Sequence, residues 1–159
     1  MLTFARALIY GTAAAGLALI FLPVDLSGWA DIPRPSNIGP PQTIGLAVAT
    51  FAGVLIAWCV FTLAAHLSPP SKRVIVSGPY RYLRHPLYLG AAMAIAGAAL
   101  YYQSILLLAY ASVFLLFLHF FVVLYEEPEL QRTFGDEYGH YRQQVGRWGP
   151  GTRRAVPRL

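Results

Sequence analysis

Four stretches of this chain, at about 7–22, 42–67, 87–102 and 104–125, contain no Asp, Glu, Lys or Arg. Each residue adds about 1.5 Å to a helix, and a bilayer's hydrocarbon core is about 30 Å thick, so about 20 apolar residues cross it. The first run ends at Pro23, which cannot continue a helical hydrogen-bond ladder. The second is long enough to cross with tilt, the third is short, and the fourth is rich in Leu, Phe and Val. Gln103 alone separates the last two, which predicts a helical hairpin. Of the 159 residues, 57% are hydrophobic and 12% charged, against about half and about a quarter in soluble domains. Disordered, coiled-coil and nucleic-acid-binding chains need more charge than this. One cysteine, Cys59, leaves no intrachain disulfide and no Cys-based zinc cluster, and no metal site is expected. The expected fold is all-α: one membrane domain over 1–159, with about four transmembrane helices and an amphipathic C-terminal helix.

Lys and Arg set the orientation. With the N-terminus cytoplasmic, Arg6, Lys72, Arg73, Arg81, Arg84, Arg132, Arg142, Arg147, Arg153, Arg154 and Arg158 lie inside, and Arg34 alone lies outside. That asymmetry follows the positive-inside rule and puts both termini, the loop 68–86 and the tail 126–159 in the cytoplasm. Gly28-Trp29-Ala30 loosely fits a signal-peptide cleavage site, but Arg6 is a weak positive region, so a retained span is the expectation. Small residues mark candidate helix contacts: Gly45, Ala49, Gly53 and Ala57 on the second run, Ala7, Gly11 and Ala15 on the first, and Gly90, Ala94 and Ala98 on the third. They permit close backbone approach in lipid, though small residues are common in membrane helices anyway.

The chemistry therefore belongs to the two cytoplasmic stretches. Gly78-Pro79 reads as a turn, and Pro86 suits the first turn of the third helix. Arg84 and His85 then sit beside that helix's positive end, a natural anion site, unless Arg81 and Arg84 anchor headgroups and Tyr80, Tyr82 and Tyr88 form an aromatic belt. Glu126 and Glu127 follow the fourth run directly and are unfavourable beside anionic lipid. Either they receive a cationic ligand or they pair with Arg81, Arg84 or Arg132. His119, seven residues before Glu126 and on its face in an α-helix, lines a pocket or packs through a hydrogen bond. Beyond Pro128, the stripe Phe134, Tyr138, Tyr141 and Val145 predicts an amphipathic helix with Asp136 as N-cap and Gly146 as stop, lying on the membrane or folding over the helix ends.

Together, Gly78-Pro79-Tyr80-Arg81-Tyr82-Leu83-Arg84-His85-Pro86-Leu87-Tyr88-Leu89-Gly90, the Glu126-Glu127 pair, and Phe134-Gly135-Asp136-Glu137-Tyr138-Gly139-His140-Tyr141 resemble the isoprenylcysteine carboxyl methyltransferase and phospholipid methyltransferase superfamily. The match runs from Ser77 to Trp148 and is specific in combination: Arg-His-Pro-x-Tyr spaced across an apolar hairpin from Glu-Glu. The resemblance implies an integral membrane enzyme using S-adenosylmethionine, with Arg84, His85, Tyr88, Glu126 and Glu127 in the cofactor pocket and Tyr138 and Tyr141 enclosing it. Arg84, His85 and Glu127 are the candidate catalytic residues. Val145-Gly146-Arg147 departs from the Val-Pro-Arg of many members, which loosens the tail turn. No Gly-x-Gly-x-x-Gly element follows a strand-like run, in keeping with a non-Rossmann site.

The cofactor's chemistry suits these residue types. Its carboxylate fits Arg84 and a helix N-terminus, its ammonium or ribose fits Glu126 or Glu127, and its sulfonium fits a tyrosine face, worth about 0.5 to 2 kcal/mol. The expected acceptor is lipophilic and enters from the bilayer. A carboxylate acceptor needs orientation alone, whereas a protonated amine needs a base, for which His85 or a Glu is the candidate. Two other readings share the scaffold: a nicotinamide-dependent membrane reductase, separable by titration with both cofactors, and a non-catalytic membrane scaffold that binds neither.

Overall fold

The computed structural model describes residue 35 and residues 37–66 and 74–149. The first apolar run, its Ala7/Gly11/Ala15 stripe, Arg6, Arg34, Lys72, Arg73 and the basic end of the tail lie outside the described residues.

Three long helices carry the described part of the fold. Helix α1 covers Pro40–Ala65, α2 Pro86–Tyr102 and α3 Ile105–Phe121. Pro40 and Pro86 occupy first-turn positions where a missing N–H is harmless, and Gln42 accepts a hydrogen bond from Gly39 N–H at 3.0 Å across the start of α1. Between α2 and α3 the chain reverses over Gln103, at φ +50°, and Ser104 caps α3 by accepting from Leu107 N. This is the predicted hairpin: its turn lies within a residue of the one read from the sequence, while α3 gives way at Val122 rather than at 125. Helix α2 lies in the middle, packed on α1 and on α3. Among the described residues there is no β-strand; Leu83 and Gly146 form an isolated parallel bridge.

Among the described residues, two helices are long and apolar enough to cross a membrane: Pro40–Ala65, and Ile105–Phe134, in which α3 runs on without interruption. Helix α2, with 17 residues, is shorter. Ile44, Phe51, Val54, Phe61, Ile105, Val113, Leu116, Phe117, Phe120 and Leu124 are all more than half exposed. Such a surface would associate in water but needs no protein cover in lipid.

The seam between α1 and α2 follows a different period from the one read in the sequence. The buried positions of α1 are Gln42, Gly45, Ala52, Cys59 and Thr62, so the contact returns every seven residues; Gly53 and Ala57 are exposed. A stripe of every fourth residue rotates steadily off a straight contact, while a seven-residue repeat drifts by only about 20°. Two glycines on α2 meet this seam. A Cβ at Gly97 would lie 2.7 Å from Ala49 N and 2.8 Å from Gly45 O, and one at Gly90 would lie 2.9 Å from Ile56 Cγ1. Gly45, Ala49 and Gly90 thus act as expected, whereas Gly97 replaces Ala94 and Ala98 as the second point of approach.

The tail also differs from expectation. A widened turn at Val122–Glu126, with i→i+5 bonding, joins α3 to α4, Glu127–Phe134. The widening lets the helix pass Pro128, whose ring and missing N–H oppose ordinary α bonding. Gly135, at φ +56°, breaks the path, and α5 runs Asp136–Gln144. Asp136 is therefore the first helical residue rather than the N-cap, and the helix stops two residues before Gly146. The predicted stripe is intact: Tyr138, Tyr141 and Val145 are buried together against Val74, Val76, Leu130 and Phe134.

Replacing Gly97 by Val should lower the melting temperature in detergent, since overpacking costs about 1 to 3 kcal/mol. Gly53→Val, whose Cβ meets nothing within 4 Å among the described residues, should leave it nearly unchanged. Equal melting of the two variants would contradict this seam.

Candidate functional site

The widened turn determines which side chains reach the interior. The buried stripe of α3 runs Leu107, Ala111, Phe114, Leu118 and Val122, in steps of three and four. An unbroken α-helix would next bury Tyr125 or Glu126. One extra residue in the turn instead buries Glu127, five positions after Val122, with Glu126 beside it, and leaves Tyr125 outside. The same shift removes the simple alignment of His119 with Glu126 that a pure α-helix predicts.

Glu127, 5% exposed, is held by two arginines. Its Oε1 accepts from Arg84 Nη1 at 2.7 Å and from Arg147 Nε at 2.8 Å, while Oε2 accepts from Arg147 Nη2 at 2.7 Å. The Arg147 contact is bidentate, the geometry in which a planar guanidinium binds a carboxylate most strongly. Burial pushes the Glu127 carboxyl up, but hydrogen bonding from His85 and Arg147 and the charges of Arg84 and Arg147 outweigh it and bring it down to about 2. Of the two sequence-level alternatives for Glu127, ion pairing with Arg84 is the one observed. Arg132 pairs instead with Glu129 on the surface.

His85 precedes α2 as its N-cap and is buried between the two carboxylates, with Nδ1 3.5 Å from Glu126 Oε1 and Nε2 3.7 Å from Glu127 Oε1. Burial pushes its imidazole down, and the carboxylates of Glu126 and Glu127 beside it push it further up, so the net shift is above the ordinary histidine value. Tyr88, one turn into α2, stacks on His85 with ring centroids 5.9 Å apart. Tyr138 is 1% exposed, and Tyr141 Oη donates to Tyr80 O at 2.6 Å, fixing α5 on the turn Gly78–Arg81. That turn needs Gly78: its φ is +56°, and a Cβ there would strike Thr62.

All seven sequence-predicted site residues thus belong to one region, although Arg84 and Glu127 hold each other rather than facing a ligand separately. Among the described residues, five buried polar atoms of these segments have no hydrogen-bond partner: Arg81 Nε, Arg84 Nε, His85 Nε2, Glu126 Oε2 and Tyr138 Oη. Uncompensated buried polar atoms are costly, and their grouping here makes this end of the helices a candidate ligand site.

Two residues of the site carry weak sequence signals. Arg147 follows a glycine where relatives have proline, and Trp148 ends the resembling segment. Both sit on a short strap after α5 whose consecutive residues grip different elements: Gly146 O accepts from Arg84 N at 2.9 Å, Arg147 binds Glu127, and Trp148 Nε1 donates to His119 Nδ1 at 3.1 Å. Spacing along the sequence cannot pair positions 119 and 148; the folding back of α5 does.

Among the described residues, then, an all-helical apolar scaffold carries carboxylates, arginines and a buried histidine at one end of its helices. The phospholipid methyltransferase family model matches residues 41–137, well over half the chain, and the chain belongs to that family. Among curated proteins it is similar to the nickel-cobalt-cadmium resistance protein NccN of Alcaligenes xylosoxydans, 28% identical over 108 residues, covering 68% of this chain and 49% of that protein. It is also similar to methanethiol S-methyltransferase 1 of Bradyrhizobium diazoefficiens, 36% identical over 66 residues, covering 42% of this chain and 22% of the other. The chain thus spans about half the length of the first relative and about a fifth of the second. No solved structure matches.

The lowered carboxyl of Glu127 gives a signed expectation. Stability from its ion pairs is fully present above the ordinary carboxyl value of 4.5 and is lost as pH falls toward about 2. Trp148 emission, read in a Trp29→Phe/Trp58→Phe background, should therefore hold steady from neutral pH to about 5 and change below about 4. Glu127→Gln should show the loosened spectrum already at neutral pH, because removing one partner of a buried pair costs about 3 to 5 kcal/mol. A spectrum indifferent to both would separate Trp148 from this ion-pair network.

Proposed function

We propose that this protein transfers a methyl group from S-adenosylmethionine to a lipophilic acceptor at the cytoplasmic face of a membrane. In this reading residues 1–159 form one multi-pass unit with both ends cytoplasmic. The observation that carries it is the convergence of unpartnered buried polar atoms beside the Arg84–Glu127–Arg147 network, in a chain of the phospholipid methyltransferase family.

The donor set fits the cofactor. Arg84 Nε and Arg81 Nε supply cationic donors for a carboxylate, Glu126 Oε2 supplies an anion for an ammonium, and Tyr138 Oη and His85 Nε2 remain for further polar groups. Glu126 suits the ammonium better than Glu127, which two arginines already neutralise. Tyr88 and Tyr138 offer electron-rich faces to a sulfonium. When bound, S-adenosylmethionine supplies a methyl group already activated by that sulfonium.

The chain's own task is then alignment and exclusion of water. Glu127 acts through others: by fixing Arg84 and Arg147 it orients the cationic wall and closes the strap over His85. Tyr141, anchored on Tyr80 O, holds α5 across the same end. The carboxylates of Glu126 and Glu127 beside His85 favour its charged form, which makes it a poor proton acceptor for an amine. The exposed apolar flanks of α1 and α3 let a lipophilic molecule approach from the side.

Calorimetric titration of the purified protein with S-adenosylhomocysteine tests this reading. Saturable binding is expected; Glu127→Gln and His85→Ala should each weaken it by at least about tenfold, or about 1.4 kcal/mol, and abolish methyl transfer while leaving membrane insertion intact. Glu129→Gln, at the exposed pair with Arg132, should bind like the wild type. A well-folded wild type that binds no S-adenosylhomocysteine would remove the methyltransferase reading.

A further inference from the structure

The strap after α5 makes three grips, and two of them end on the charged cluster: Gly146 O accepts from Arg84 N, and Arg147 binds Glu127. The third ends elsewhere. Trp148 Nε1 donates at 3.1 Å to Nδ1 of His119, on α3 ahead of the widened turn. An indole nitrogen donates and cannot accept, so His119 Nδ1 is the acceptor and carries no hydrogen. The two rings also lie against each other, with centroids 6.2 Å apart and planes at 33°. His119 thus fixes both the position and the plane of the indole.

That indole bears on the site in two ways. First, it is a neighbour of His85, at 6.1 Å between centroids. Tyr88 stacks on the same imidazole at 5.9 Å, and Glu126 and Glu127 stand beside its nitrogens at 3.5 and 3.7 Å. Of these four neighbours, Trp148 alone is delivered by the strap. Second, it is adjacent in the chain to Arg147. A bidentate guanidinium–carboxylate contact needs both groups held in one orientation, and the Arg147 side chain is 29% exposed, so burial does not hold it. Its chain neighbours do: Gly146 is tied to Arg84 on one side and Trp148 to His119 on the other.

Resting on the methyltransferase reading above, we propose that His119 is a positioning residue of the cofactor site: by accepting from Trp148 it sets the indole beside His85 and holds Arg147 in register on Glu127. It acts through Trp148 rather than by touching ligand. His85 Nε2 and Arg84 Nε are among the unpartnered buried atoms, so a shift of the strap displaces groups that the cofactor would meet. Trp148 also packs on the core of α2 and α3. Space filling depends on ring volume, whereas positioning depends on the acceptor atom, and this difference is what the test reads.

S-adenosylhomocysteine affinity is measured by calorimetry on the full chain, and the Trp148 indole N–H resonance is followed in the Trp29→Phe/Trp58→Phe background. His119→Phe keeps a ring but removes the acceptor, and should weaken binding by about tenfold, equivalent to about 1.4 kcal/mol. His119→Asn, whose Oδ1 lies near the Nδ1 position, should bind within about threefold of wild type. Trp148→Phe should lose as much as His119→Phe, and the double variant no more than either, because both remove one interaction. The indole resonance should shift in His119→Phe and return toward its wild-type position in His119→Asn. Unchanged affinity in His119→Phe, equal losses in His119→Asn and His119→Phe, additive losses in the double variant, or an indole resonance indifferent to His119→Phe would each overturn the proposal. Trp148→Phe, which leaves His119 in place, carries the same decision should His119→Phe not fold: unchanged affinity there overturns it. A wild type that binds no S-adenosylhomocysteine would instead overturn the methyltransferase reading, and the indole resonance would still decide whether His119 holds the strap.

Discussion

One buried carboxylate organises the end of this molecule. Glu127 has three accepting contacts from two arginines that come from opposite directions along the chain, one before α2 and one after α5. Isolated, such a group would be too costly to ionise at this burial; paired, it ties the helical hairpin's far arm to both flanking segments. The polar end of the bundle is therefore a single electrostatic unit, and His85, Glu126, Tyr138 and the strap are arranged around it.

The apolar part depends on a different constraint, backbone proximity. Where Gly45 and Gly97 meet, neither helix has space for a side chain, and packing there replaces the hydrophobic drive that lipid does not supply. A rigid α1–α2 seam fixes the start of α2, hence Arg84 and His85. Helix α3 then brings Glu127 to them from the other side, with the widened turn correcting the register. Polar precision at one end thus rests on small-residue contact in the other.

Much of this was legible in the sequence because charge-free runs and Pro or Gly punctuation are local signals. The hairpin at Gln103 and the stripe Tyr138, Tyr141 and Val145 were readable in that way. The seam was half readable: Gly45, Ala49 and Gly90 belong to it, but composition does not reveal whether a contact repeats every four or every seven residues. The widened turn was not legible, since its cause is the pairing of Pro128 with a need to bury Glu127, and that need appears only in three dimensions. The partners of Arg147 and Trp148 were not readable for the same reason, Glu127 and His119 being met only through the reversal at Gly135. The seven residues singled out by resemblance do converge, yet the pairing of Arg84 with Glu127 changes what two of them are free to do.

The shortness of α2 has a further consequence. Its 17 residues span about 25 Å, less than the roughly 30 Å of hydrocarbon that α1 and the continuous helix Ile105–Phe134 are long enough to cross. A bilayer meeting a helix of this length thins locally, because hydrophobic mismatch is relieved more cheaply by lipid deformation than by exposing polar backbone. His85 caps the end of that short helix, so thinning of the leaflet there would lower it toward the carboxylate end. Neighbouring lipids would be drawn down around it with headgroups lowered and tilted, and the bilayer itself would present them to that end of the helices.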